Sequence, residues 1–157
     1  MENLTLKSVI KVCQMSDLTD EERKLIELAI ESTNHSYAPY SSFHVGAAIL
    51  LANKVMLPGC NQENAAFPAG ICAERSAIFA AGAQYPDQPV VAIAIAARDK
   101  NNELTKMPVS PCGTCRQVMI ETETRFNQSL HILLYGTEKI YVMDGIKTLM
   151  PLSFTDF

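Results

Sequence analysis

Two short segments carry the residue types best suited to chemistry: Cys72-Ala73-Glu74 and Pro111-Cys112-Gly113-Thr114-Cys115. Cys112 and Cys115 are three apart, a spacing that puts both sulfurs on one face of a helical first turn, where they can meet one cation. Cys72 can supply a third sulfur. Three thiolates without a fourth protein ligand leave an open coordination position for a water, the mark of a catalytic zinc centre as opposed to a closed structural one. Such a site carries one negative charge in excess of Zn²⁺ and is a weak Lewis acid unless the excess is offset. Arg75 is the nearest candidate in sequence, and hydrogen bonding from its guanidinium to the sulfurs would withdraw electron density. Glu74, two residues after Cys72, can stand beside the metal without ligating it, which is a general acid/base position. Taken alone, two thiols in Cys-x-x-Cys with a third elsewhere also fit a structural zinc site or a redox pair.

These segments need helices that start at the right places. Ser110-Pro111 reads as an N-cap followed by proline at the first helical position, with the helix running through Cys112, Cys115, Val118 and Met119 toward Phe126. Cys72 to Ala83 is Ala-rich and reads as a helix nearly buried all round. Both thiol groups would then lie at helix amino termini, where unpaired amides and the helix dipole favour negative charge. Upstream, Thr19-Asp20-Glu21-Glu22 is a capping box that opens a helix to about His35. The apolar runs Val45 to Ala52, Val90 to Ala97, His131 to Tyr135 and Lys139 to Met143 read as strands, with Lys54 to Cys60 as the hairpin partner of the first. The order implies a three-layer α/β/α sandwich around a mixed five-stranded sheet. Leu4 to Val12 alternates in part and suggests a short edge strand, so residues 1–17 are expected to be an amino-terminal extension to a catalytic domain at 18–157.

Composition narrows the function classes. In 157 residues, 48% are hydrophobic and 19% charged, enough apolar surface for one core, and the net charge of −4 opposes a polyanion-binding role. No apolar stretch approaches the roughly 20 residues of a membrane span, and Met1-Glu2-Asn3 begins nothing like an export signal, so a cytoplasmic protein is expected. Five cysteines in that setting read as thiols, ligands or nucleophiles before disulfides, and Cys13 and Cys60, without metal-spaced partners, as packing thiols. His44 and His131 read as ordinary strand-end or core histidines.

Zinc deaminases of nucleobases carry H-x-E…P-C-x-x-C, with a three-cysteine variant, and the variant is matched here with Cys72 in the place of the histidine. The runs Tyr37-Ala38-Pro39-Tyr40-Ser41-Ser42-Phe43-His44-Val45-Gly46, Gly59-Cys60-Asn61-Gln62-Glu63-Asn64-Ala65, Cys72-Ala73-Glu74-Arg75, Pro111-Cys112-Gly113-Thr114-Cys115-Arg116-Gln117-Val118 and Leu149-Met150-Pro151-Leu152-Ser153-Phe154 closely resemble the small, homotetrameric cytidine deaminases. The resemblance implies zinc-dependent hydrolysis of cytidine and deoxycytidine to uridine and deoxyuridine, with ammonia released, in pyrimidine salvage. It implies one zinc per chain on Cys72, Cys112 and Cys115, with Glu74 shuttling protons. It also implies a ribose contact from Asn61 and Glu63, an aromatic wall at Phe43, a substrate contact at Ala73, and Phe154 reaching a neighbouring subunit's site in a homotetramer. Phe67 departs from it, standing where a tyrosine is common.

Rival readings accompany these expectations. Asn61 and Glu63, taken alone, are better read as caps of the loop before Pro68. A nucleic-acid editing deaminase would share the zinc chemistry but need a basic groove. A non-enzymatic zinc module would make Glu74 dispensable, and the same site acting on another aminopyrimidine nucleoside, such as blasticidin S, is a nearer enzymatic rival. The acidic composition and the presence of both Asn61 and Glu63 favour a free nucleoside.

Overall fold

Thr19 opens the first helix as its spacing predicts: its amide donates to Glu22 Oε2 at 2.7 Å, and the Glu22 amide donates to Thr19 Oγ1 at 3.3 Å. That reciprocal pair satisfies two of the donors every helix start leaves open. The computed structural model describes residues 1–155, and its elements run β1 (Lys11–Cys13), α1 (Asp20–Ser32), β2 (His44–Leu51), β3 (Met56–Cys60), α2 (Ala73–Gln84), β4 (Val90–Arg98), α3 (Gly113–Phe126), β5 (His131–Tyr135) and β6 (Ile140–Asp144).

The strands form one mixed sheet in the order β1-β6-β5-β4-β2-β3. Only β4 and β5 are parallel, and they are joined by α3, the crossover that a parallel pair requires. The other neighbours are antiparallel. Strand alternation sorts the side chains to two faces: Ala92, Ala94 and Ala96 of β4 pack with Leu25, Ile26 and Ala29 of α1. Ile93 and Ile95 turn the other way, to Ala77, Ile78, Met119 and Ile120 of α2 and α3. The result is the three-layer sandwich the element order implies.

Four expectations need correction. The sheet has six strands, not five, because β1 pairs with β6 through Lys11↔Val142, Val12↔Tyr141 and Cys13↔Ile140. The edge strand itself spans only Lys11–Cys13, and residues 4–10 are exposed and outside any strand. The third helix is capped by Cys112, not Ser110, because the Cys112 sulfur itself accepts from the Cys115 amide at 3.4 Å. The second helix is not buried all round: Phe79 is half exposed.

Two glycines let helices approach the sheet on opposite faces. A Cβ on Gly46 would lie 2.0 Å from Ala29 O of α1, and one on Gly59 would lie 2.5 Å from Ala73 O and 2.6 Å from Ala77 N of α2. The second contact matters for the site, because it seats the first turn of α2 directly on β3.

Candidate metal centre and adjoining cleft

The sequence places Cys72 and Cys112 forty residues apart, and the fold makes each the N-cap of its helix, with extended backbone at both positions. The amino termini of α2 and α3 therefore converge. Cys72 Sγ lies 3.9 Å from Cys112 Sγ, Cys112 Sγ lies 3.4 Å from Cys115 Sγ, and all three sulfurs fall within 4.8 Å of one another. Tetrahedral zinc with Zn–S bonds of about 2.3 Å requires sulfurs about 3.8 Å apart, so small side-chain adjustments suffice for the triad to hold the ion.

The electrostatics point the same way. Hydrogen bonds from Cys115, and from Arg75 and Cys112, pull the Cys72 thiol down to about 5, against the opposing effect of burial. The Cys115 thiol is pushed up, because it is tied to Cys72, is buried, and faces Glu74. Cys72 thus ionises readily while Cys115 resists doing so, and a divalent cation would remove that resistance. Arg75 Nη2 stands 3.7 Å from Cys72 Sγ, within reach to donate to it. Its Nε is buried and makes no hydrogen bond among the described residues. Glu74 is only 4% exposed. Burial is the largest influence on its carboxyl and pushes it up, the charge on Cys72 adds to that effect, and hydrogen bonds from its own amide and from Cys115 pull the other way.

Beside the triad lies a cleft of about 320 Å³ whose lining includes Tyr40, Asn61, Glu63, Phe67, Cys72 and Arg75. Its construction follows from β3. The chain leaves that strand through Asn61, and Gln62 exchanges two backbone hydrogen bonds of 2.9 Å with Ile71, the residue before Cys72. Gly59 holds α2 against the same strand. Asn61, Glu63 and the Cys72 thiol are thereby brought to one opening.

The side chains of Asn61 and Glu63 hold the segment ahead of β2, not the loop before Pro68. Asn61 Oδ1 accepts from the Val45 amide at 2.8 Å and Nδ2 donates to Phe43 O at 2.9 Å. Glu63 Oε2 accepts from the amides of Tyr40 at 2.8 Å and Ser41 at 3.3 Å. Hydrogen bonds from Ser41 and from the Tyr40 amide hold its carboxyl below the usual range. Phe43, Ala73, Glu74 and Phe154 do not line the cleft of the single chain. Phe43 is half buried, Ala73 is fully buried, and Phe154 is 65% exposed with its carbonyl accepting from Gln117 Nε2 at 3.0 Å. Tyr40 and Phe67 give the cleft an aromatic side, edge to face at 5.9 Å. The signal for it was the Tyr-Ala-Pro-Tyr turn, which composition alone does not separate from a surface loop.

Fold and site together define a three-layer α/β protein with a metal-ready thiol triad and a buried carboxyl beside it. A family model described as the cytidine and deoxycytidylate deaminase zinc-binding region matches residues 19–127, and the chain belongs to that family. A cytidine deaminase of Halalkalibacterium halodurans is 45% identical over 101 residues, 64% of this chain and 71% of that protein. A probable cytidine deaminase of Dictyostelium discoideum is 31% identical over 129 residues, 74% of this chain and 83% of that protein. Among solved structures, the cytidine deaminase from Burkholderia pseudomallei superposes with a TM-score of 0.72 at 37% identity, covering 87% of this chain and all of that one. The cytidine deaminase from Mycobacterium tuberculosis gives 0.65 at 27% identity, covering 88% and 99%.

Proposed function

We propose that the protein deaminates cytidine and deoxycytidine hydrolytically to uridine and deoxyuridine, releasing ammonia, as a step of pyrimidine salvage. The observation that carries the reading is the thiol triad with Glu74 buried beside it and the Asn61/Glu63 cleft opening next to it. Cys72, Cys112 and Cys115 would hold one zinc per chain. When bound there, zinc supplies Lewis acidity that makes a water acidic near neutral pH. Arg75 draws charge from the Cys72 sulfur, which preserves that acidity. Glu74 takes a proton from the water that adds to C4 of the pyrimidine and delivers it to N3. It then carries a proton to the 4-amino nitrogen, which leaves as ammonia. Burial keeps that carboxyl competent to hold a proton between the two transfers. Glu63 accepts from a sugar hydroxyl, and the second N–H of Asn61 is available to donate to one. Phe43 and Phe154 contribute aromatic contacts and Ala73 a buried contact to the bound nucleoside, with Phe154 acting on a neighbouring subunit's site.

The catalytic unit is residues 18–157, and residues 1–17 are an addition to it, a division supported by the start of the family match at 19. The protein works in the cytoplasm as a homotetramer. No helix among the described residues is long and apolar enough to cross a membrane. An apolar groove of about 310 Å³ between α2 and α3, rimmed by Phe79 and Phe126, supports assembly. Gel filtration returning a fully active monomer would refute the tetramer.

Ultraviolet absorbance after mixing zinc-loaded protein with cytidine, deoxycytidine and free cytosine tests the activity. Loss of the cytidine band with matching ammonia is expected, with little turnover of the free base. No turnover of any of the three at one zinc per chain would overturn the reading.

A further inference from the structure

At Asn61 the chain changes partners. Gly46↔Cys60 is the last register pair of β2 and β3. The Asn61 amide still donates to Val45 O at 3.1 Å, but its carbonyl has turned to accept from Tyr37 N at 3.0 Å. In an undisturbed antiparallel pair that carbonyl would have accepted from the Val45 amide. The Asn61 side chain takes over: Oδ1 accepts from Val45 N at 2.8 Å, and Nδ2 donates to the next carbonyl along, Phe43 O, at 2.9 Å. A buried or half-buried backbone group left without such a partner is costly, so this substitution is what allows the strand to end there.

The chemistry is specific to asparagine. The position needs an acceptor and a donor on one short planar group. Aspartate lacks the donor, alanine lacks both, and glutamine is one methylene too long. The loop it grips has two hydrogen bonds of its own, Ser42 N to Ala38 O at 3.0 Å and Phe43 N to Ser41 Oγ at 3.1 Å, but Ser42 has φ +54, a left-handed conformation unusual outside glycine, immediately before Phe43. Glu63 grips the other end of the same loop through the amides of Tyr40 and Ser41.

We propose that Asn61 is a positioning residue, whose side-chain amide stands in for its own diverted backbone beside β2 and so fixes the Phe43–Val45 end of the loop that carries Tyr40 into the cleft. This rests on the deaminase reading, and it separates two roles that a sugar contact alone would merge. If Asn61 acts only on a sugar hydroxyl, its loss costs nothing with a substrate lacking that hydroxyl. A loop held in place matters to every substrate.

The test compares N61A and N61D with wild type on cytidine and on 2′,3′-dideoxycytidine, with amide hydrogen exchange on the substrate-free, zinc-loaded protein. N61A is expected to lower kcat/KM about tenfold or more on both nucleosides, mainly through KM, and to speed exchange of the Val45 amide. N61D, which keeps the acceptor for Val45 N and loses the donor to Phe43 O, is expected to hold Val45 protected yet still show a loss on both substrates. It decides the kinetic question if N61A does not fold. Where dideoxycytidine turns over too slowly, its inhibition constant against cytidine reads the same ratio. A variant within twofold of wild type on dideoxycytidine but strongly impaired on cytidine would overturn the proposal, as would unchanged Val45 exchange in N61A. Wild type inactive on cytidine would instead defeat the deaminase reading, while the exchange result still judges the clamp.

Discussion

The molecule carries two clusters of ionisable side chains, and they are built in opposite ways. At the start of β5, where His131 pairs with Ala92, the imidazole bridges two carboxylates: Nε2 lies 2.7 Å from Glu22 Oε1 and Nδ1 lies 2.7 Å from Asp144 Oδ1. Lys11 reaches the same Asp144 at 3.3 Å, and Thr19 donates to Glu22. Each side chain there has a hydrogen-bond partner, and the network ties α1, β1, β5 and β6 together. Beyond the other end of β4, where α3 begins, the thiols crowd one another, Glu74 is buried, and Arg75 Nε is unpaired among the described residues. Groups of complementary charge that satisfy each other make a brace. Groups that resist each other's charge make a site awaiting a ligand.

That contrast can be broken most severely at the metal centre. If the triad holds zinc as proposed, replacing Cys115 by alanine removes the sulfur at its fully buried corner, and both bound zinc and turnover should fall to background, read by metal analysis and the absorbance assay. Glu74→Gln should lower kcat by about 10²- to 10⁴-fold while zinc stays at one per chain. Zinc retained with full activity would reduce Glu74 to a buried structural acid. Arg75→Ala leaves the ligands intact, so a smaller loss of about 10- to 100-fold in activity or metal affinity is expected, measured by competition with a chelator.

The brace should respond differently. Glu22 is held below its usual range by hydrogen bonds from Thr19 and His131 against the opposing effect of burial, and Asp144 by hydrogen bonds from His131 and Lys11. Lowered carboxyl values mean stabilisation that is present above pH about 4.5 and lost as the pH falls through the folded values. His131→Ala should therefore cost about 1 kcal/mol or less near neutrality, a fall in Tm of about 2–4 °C, because Asp144 is exposed and Glu22 and His131 remain in reach of solvent. It should also flatten the acid limb of Tm against pH and leave kcat/KM unchanged. A large loss of activity in this variant would erase the distinction between the two clusters.

Much of the chemistry was legible because it is local. Helical geometry fixes where Cys112 and Cys115 point, and where Glu74 and Arg75 fall relative to Cys72, so spacing predicts a thiol pair and, separately, a thiol with an acid and a base beside it. The Thr19 capping box and the apolar runs of β2, β4 and β5 read out for the same reason. The edge strand was half legible: β-branched residues marked it, but its length depends on how much of β6 remains to be paired. The start of α3 was misread by two residues because Ser110-Pro111 carries the usual cap signal, while the cap observed is a cysteine sulfur.

What the sequence determined by itself was the inventory and its local order: three thiols at helix starts, one acid two residues on, and strands in an α/β succession. Tertiary structure alone decided that Cys72 meets Cys112 across forty residues, that Gly59 seats α2 on β3, and that Asn61 answers for a diverted backbone carbonyl. It also decided that His131, unremarkable in sequence, bridges two acids from distant elements. The division follows from range. Covalent geometry sets which neighbours along the chain share a face, whereas partners far apart in sequence are chosen by how the layers pack and which backbone groups that packing leaves to be satisfied.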